Sequence, residues 1–238
     1  MYAARMAPAR TFLMMGSGEF EPWSEEVERA ALDGREGPVA VVPTASASEG
    51  DHVFQRWAQM GLDHYASLGI KARLVPIKTR EDAEREDLAR GFEGTSMIFF
   101  SGGKPRFLSS VIGGTRCFDA LLAAVSGGSV YAGCSAGAMV ASRAPDAKPR
   151  LGESWVSGLG LLPHLSLGVH WDRAKFIPGL RPLMMSRTKD AAFIGIDERT
   201  AILGDGERWT VYGVGTATVR RGGTTTVYPP GESFTTPT

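Results

Sequence analysis

Ser129-Val130-Tyr131-Ala132-Gly133-Cys134-Ser135-Ala136-Gly137-Ala138 decides how this chain folds. A short apolar run at 130–132 leads straight into a Gly-X-Ser-X-Gly turn, and small residues then open a helix. A serine on such a strand-to-helix turn sits on a tight bend, so its hydroxyl projects above the sheet edge, and the small flanking residues let the chain double back. The helix that follows points its N-terminus, with free N–H groups and the positive end of its dipole, at the same place. Ser135 is therefore the candidate nucleophile. The N–H of Ala136 can donate to a developing oxyanion.

Working outward, apolar runs at 12–15, 39–42, 72–77 and 97–100 have the continuous character of strands covered on both faces. Helical patterns at 23–32, 52–68, 80–89 and 118–125 lie between them. Alternation of this kind predicts βαβ units and a mainly parallel sheet flanked by helices, a three-layer αβα architecture. The last third holds short strand-like runs at 193–197, 201–203, 210–214, 217–219 and 225–228, separated by Gly-rich turns. They are expected as a meander or hairpins on the sheet edge. The 238 residues suit one domain. Poorly ordered ends are expected at 1–9 and 233–238.

Small-residue turns follow the strands: Gly16-Ser17-Gly18, Pro43-Thr44-Ala45-Ser46 and Ser101-Gly102-Gly103. Ligands of open parallel sheets bind beyond the carboxyl ends of the strands. Gly16-Ser17-Gly18 does not continue into a dinucleotide fingerprint, because Glu19-Phe20-Glu21 follows. Gly102-Gly103 can bring a second backbone donor close to an oxyanion. A serine also needs a base and an orienting acid. Of the four histidines, His52 and His64 belong to a long amphipathic helix and His164 to a loop. His170 ends the run at 165–169, where a base is expected. Asp197 or Glu198, at the end of a later strand, can orient it. Asp172, Asp190 and Asp205 stay open on spacing alone.

These segments resemble the family of serine peptidases containing dipeptidase E and cyanophycinase, which has the flavodoxin-like fold of class I glutamine amidotransferases. The resemblance is carried by Gly16-Ser17-Gly18-Glu19-Phe20, Val42-Pro43-Thr44-Ala45, Phe99-Phe100-Ser101-Gly102-Gly103, Gly133-Cys134-Ser135-Ala136-Gly137-Ala138, Gly158-Leu159-Gly160-Leu161-Leu162, His170-Trp171-Asp172-Arg173 and Gly195-Ile196-Asp197-Glu198-Arg199-Thr200-Ala201. It implies Ser135 as nucleophile, His170 as base and Glu198 as acid. It also implies the N–H groups of Gly103 and Ala136 as oxyanion hole, and no metal or organic cofactor. The order Ser, His, acid differs from the Ser, acid, His of ordinary α/β-hydrolases. Two departures border the expected substrate site: Lys104-Pro105 replaces the family's polar pair, and His170 stands between Val169 and Trp171. Lys104, Arg106 and Arg173 are candidate contacts for a substrate carboxylate.

Composition sets further expectations. Lys plus Arg and Asp plus Glu number 26 each, so no general attraction to nucleic acid or an anionic membrane is expected. Cys117 and Cys134, the only cysteines, make neither a disulfide framework nor a metal cluster. With no signal-peptide core and no run near the ~20 apolar residues of a membrane span, a cytoplasmic setting is expected. The expected partner is a small peptide or amide, with a homodimer among the open assemblies. A non-catalytic, amidotransferase-like binding protein is the alternative. Glutamine amidotransfer would need cysteine at the elbow, and Cys134 falls one position early.

Overall fold

A computed structural model describes residues 10–142, 158–186 and 192–237. In chain order its helices and strands are β1 (Phe12–Met15), α1 (Glu25–Leu32), β2 (Val39–Val42), α2 (Asp51–Ser67), β3 (Ala72–Leu74), α3 (Arg80–Ala83), α4 (Glu86–Ala89), β4 (Met97–Phe100), α5 (Pro105–Ile112), α6 (Arg116–Ser126), β5 (Val130–Cys134), α7 (Ala136–Ala141), β6 (Leu165–Gly168), α8 (Trp171–Ala174), α9 (Leu180–Ser186), β7 (Ala192–Ile196), β8 (Thr200–Gly204), β9 (Arg208–Gly213), β10 (Ala217–Arg221), β11 (Thr224–Tyr228) and β12 (Ser233–Thr235). No single helix among the described residues is long and apolar enough to cross a membrane.

Four of the five apolar runs read as doubly covered strands are just that, while β3, at the edge of the sheet, is only half-buried. Every residue of β1, β2, β4 and β5 is buried. Successive side chains of a strand point to opposite faces, and β1 shows the result. Leu13 and Met15 pack with Val27 and Ala31 of α1 and Tyr65 of α2. Phe12 and Met14 pack with the cluster that holds Leu108 of α5 and Leu121 of α6. The fold is thus mixed α/β, with a sheet between helical layers.

The main sheet runs β12-β9-β8-β1-β5-β4-β2-β3. Strands β1 to β5 pair in parallel, and β5 sits centrally between β1 and β4. The C-terminal strands correct the expectation of a single edge addition. Only β8, β9 and β12 extend the main sheet, antiparallel to their neighbours. β7, β10 and β11 instead join β6 in a second, four-stranded sheet ordered β11-β10-β7-β6. Its residues Leu165, Leu167, Ile194 and Val219 share the core cluster of Phe12 and Met14. An apolar run declares burial but not its pairing partner.

Three boundaries also differ. The pattern at 80–89 breaks into α3 and α4, with Arg85 extended between them (φ −76°, ψ 130°). Ala83 and Leu88 are both buried, yet five residues put them about 140° apart around one continuous helix. β3 stops at Leu74 because Pro76, with no N–H, cannot continue the ladder. The tail is ordered up to residue 237, contrary to expectation. β12 pairs with β9, Phe234 is buried, and the Thr236 hydroxyl accepts from Trp209 Nε1 (3.1 Å) and donates to the Gly206 carbonyl (3.0 Å). Residues 1–9 and 238 lie outside the described part. Phe234→Ala should lower unfolding free energy by about 3 kcal/mol, measured by urea denaturation. A loss under about 0.5 kcal/mol, the range of ordinary surface changes, would mean that the tail does not support the sheet.

Candidate active site

The turn at the end of β5 has the bend its sequence requires. Ser135 has φ 48° and ψ −105°, a conformation that costs a non-glycine residue about 1–3 kcal/mol. The flanking glycines make it possible. A Cβ on Gly133 would lie 2.4 Å from the Gly137 carbonyl carbon, and one on Gly137 would lie 2.2 Å from the Phe100 carbonyl oxygen. Ser135 is partly accessible, and its N–H donates to the Met15 carbonyl at the end of β1 (3.0 Å).

The second sheet delivers two more groups. His170 follows β6 in a left-handed conformation (φ 49°, ψ 39°). Trp171 anchors it from behind. The indole is buried against Phe193 and so close to Gly195 that a Cβ there would lie 2.5 Å from the ring. Arg181 clamps it, donating to the Trp171 carbonyl from Nη2 (2.6 Å) and Nε (3.2 Å) with its guanidinium over the ring. Glu198 lies on the turn from β7 to β8.

These groups converge. Ser135 Oγ lies 3.1 Å from His170 Nε2, and His170 Nδ1 lies 3.1 Å from Glu198 Oε1. A carboxylate can only accept, so Nδ1 carries the proton and Nε2 is left to accept from the Ser135 hydroxyl. Glu198 is held from two further sides. Arg173 Nε donates to Oε2 (3.1 Å), and the Glu198 N–H donates to Asp172 Oδ1 (2.9 Å).

The remaining candidates separate cleanly. Asp172 thus supports Glu198 rather than His170. Asp197 Oδ2 accepts from the Thr216 N–H (2.9 Å) and hydroxyl (2.7 Å). Asp205 caps the β8–β9 turn through the N–H groups of Glu207 and Arg208, and Asp190 lies outside the described residues. His64 is a packing residue, 2.5 Å from the buried Glu28. His164 meets the Gly206 carbonyl (2.9 Å), and His52 is exposed. Burial and the Glu28–His64 contact act oppositely on the Glu28 carboxyl; desolvation dominates and raises its pKa.

Ala136 opens α7, so its N–H has no acceptor within the helix. Gly103 has φ 141°, and a Cβ there would lie 2.5 Å from the Ala45 carbonyl. Lys104 is exposed at the start of α5, its N–H donating to the Ala45 carbonyl (2.8 Å). Arg106 follows in the first turn of α5. Arg173 is exposed but engaged with Glu198. A cleft of about 580 Å³ opens beside Glu198 and Arg173, lined also by Ser17, Gly18, Asp172 and Arg199. A larger cavity, about 1000 Å³, lies between Arg35, Thr95, Ser96 and Ser129 at the opposite, amino end of the strands and contains none of these groups.

Cys134 is fully buried, and burial followed by the neighbouring Glu19 holds its thiol pKa far above the ordinary value. Burial likewise pushes the Cys117 thiol up to about 11. The thiolate is the reactive form, so neither cysteine is set up as a nucleophile. No group of three or more His, Cys, Asp or Glu among the described residues could hold a metal ion. Sequence reasoning gave Glu19 no role; it entered as a break in a glycine pattern and as one residue of the segment at 16–20. It is 5% exposed, bonded to Gly102 and Cys134. Its place beside a buried cysteine could not be read from spacing.

Residues 12–212 match the model of peptidase family S51. The cyanophycinase of Trichormus variabilis is 27% identical over 223 residues, covering 87% of this chain and 72% of that protein. The cyanophycinase of Geminocystis herdmanii is 26% identical over 222 residues, covering 87% and 79%. The crystal structure of a peptidase from an acI-B1 Actinobacterium superposes with a TM-score of 0.85 at 26% identity, over 96% of this chain and 98% of that one. A putative Peptidase E protein from Listeria monocytogenes shares the fold, with a TM-score of 0.64 at 17% identity over 86% and 98%. The family match runs from β1 into β9 and spans the turns that carry Ser135, His170 and Glu198, and the chain belongs to peptidase family S51, as a hydrolase of the peptidase class.

Proposed function

We propose that this protein is a serine-type peptidase or amidohydrolase that cleaves a small peptide or amide through an acyl-enzyme on Ser135. The observation that carries the reading is the continuous Ser135–His170–Glu198 contact, 3.1 Å at each step, on a strained serine. His170 Nε2 takes the Ser135 proton as Oγ bonds to the carbonyl carbon. The carbonyl oxygen becomes an oxyanion facing the N–H groups of Gly103 and Ala136. Its collapse breaks the C–N bond, and His170 passes the proton to the leaving amine. Water then attacks the ester with His170 again as base, releasing the acid and restoring Ser135. Glu198 fixes the tautomer and stabilises the imidazolium. These steps need neither metal nor organic cofactor.

The exposed Arg173 and Lys104 are the proposed contacts for a substrate carboxylate, Arg173 through the guanidinium nitrogens not engaged with Glu198. The cytoplasmic setting and small-molecule partner belong to the same proposal. A fluorophosphonate probe tests the central claim. Wild-type protein should carry the adduct on Ser135, located by peptide mass spectrometry, and Ser135→Ala should carry none. A folded wild type that stays unlabelled, with no hydrolysis across a dipeptide library including Asp-Xaa and β-Asp-Arg, would favour a non-catalytic binding protein.

A further inference from the structure

We propose that Glu19 is a positioning residue that aligns the oxyanion-binding backbone with the nucleophile; this rests on the reading of Ser135 as an acyl-transfer serine. The Glu19 carboxyl is buried and bridges the loop after β4 to the end of β5. Oε1 accepts the Gly102 N–H (2.7 Å), and Oε2 accepts the Cys134 thiol proton (2.8 Å). Gly102 belongs to the loop after β4. Cys134 is the residue immediately before the nucleophile.

The consequence concerns which N–H faces the substrate. The Gly102 N–H is committed to Glu19, and the Lys104 N–H to the Ala45 carbonyl. The Gly103 N–H between them has no hydrogen-bond partner among the described residues. A Cβ on Gly102 would lie 3.1 Å from Glu19 Oε1 and 3.5 Å from Ser135 Cβ, so Gly102 is sandwiched between carboxyl and nucleophile. Anchoring that one peptide fixes the direction of the next.

Glu19 is itself held firmly. The Gly18 carbonyl before it accepts from Trp23 Nε1 (2.7 Å). Phe20 after it packs on Phe99 of β4, with ring centroids 4.9 Å apart. Phe20 also has a positive φ of 64°. The non-glycine residues of positive φ among the described ones are Phe20, Ser135, His170 and Arg199. Two are the reacting pair, and the others adjoin Glu19 and Glu198. Backbone strain gathers where a site must be held in one geometry, and Glu19 is the immediate neighbour of one of these residues, Phe20.

The test is the rate of Ser135 phosphonylation by the fluorophosphonate probe, resolved into limiting rate and half-saturating concentration. Glu19→Ala should lower the limiting rate by about 100-fold, the scale of a misplacement near 1 Å, with the half-saturating concentration unchanged. Glu19→Gln keeps an oxygen to accept the Gly102 N–H and should restore most of the rate. Should Glu19→Ala fail to fold, Cys134→Ala decides, since it removes only the second anchor and should lower the limiting rate in the same selective way. A lower melting temperature with a wild-type limiting rate in the folded variants would overturn the inference, as would Glu19→Gln falling as far as Glu19→Ala. Wild-type protein that does not label at Ser135 would overturn the proposed function and this inference together. Labelling of wild type and Glu19→Ala at equal rates overturns this inference alone.

Discussion

Hydrolysis by His170→Ala is expected to run about 10⁶-fold slower than wild type, and by Glu198→Gln about 10⁴-fold slower. The difference follows from position. In the proposed mechanism His170 handles the proton at Ser135 Oγ in both half-reactions, so nothing replaces it. Glu198 acts one bond further out. A glutamine there can still accept from Nδ1 but lacks the charge that stabilises the imidazolium, and it loses the ion pair with Arg173. The groups act as a unit, so Ser135→Ala combined with His170→Ala should be no slower than either alone. The measurement is kcat on the best dipeptide from the library, with folding checked by circular dichroism. A His170→Ala protein within tenfold of wild type would remove His170 from the mechanism.

Gly137→Ala is expected to cost about 3 kcal/mol, at the upper end for overpacking, and to take activity with it. The new Cβ would lie 2.2 Å from the Phe100 carbonyl oxygen. That atom is backbone at the end of β4 and cannot swing aside. Moving it displaces the Ser101-Gly102-Gly103 loop, and with it the proposed oxyanion donor, the Gly103 N–H. The Gly137 carbonyl also accepts from the buried Tyr131 hydroxyl (2.8 Å), so a shift of α7 disturbs the core. Gly114 is the control. It has φ 66° with nothing within 4 Å of a new Cβ, and Gly114→Ala should cost about 1 kcal/mol from conformation alone. Urea denaturation of both variants checks the contrast. Equal losses would show that crowding at the elbow is not the cause.

The parallel half of the fold was legible because β1, β2 and β4 are buried on both faces, and burial on both faces leaves an unbroken apolar run. β3 was overread because its apolar run outlasts its ladder at Pro76. The C-terminal strands were found but misplaced. Hydrophobicity marks Ala192–Ile196 as a strand without saying that it joins Leu165–Gly168 rather than the main sheet. The turn at Ser135 was readable because its glycines are sterically required. Glu198 could not be separated from Asp197 by position, since only the fold shows one carboxyl turned to His170 and its neighbour turned to Thr216. Glu19 left no local pattern, because its partners lie 83 and 115 residues away.

The division of the strands between two sheets has a consequence for the life of the chain. The serine rides on the main sheet, while the imidazole is carried by the second and the carboxylate stands where the chain crosses back. Neither half owns a working reaction centre. In the proposed enzyme, cleaving power therefore requires both sheets, because only together do they bring His170 and Glu198 to Ser135. On that reading, a chain whose second sheet has not formed, or has been lost, should be chemically harmless to the peptides around it.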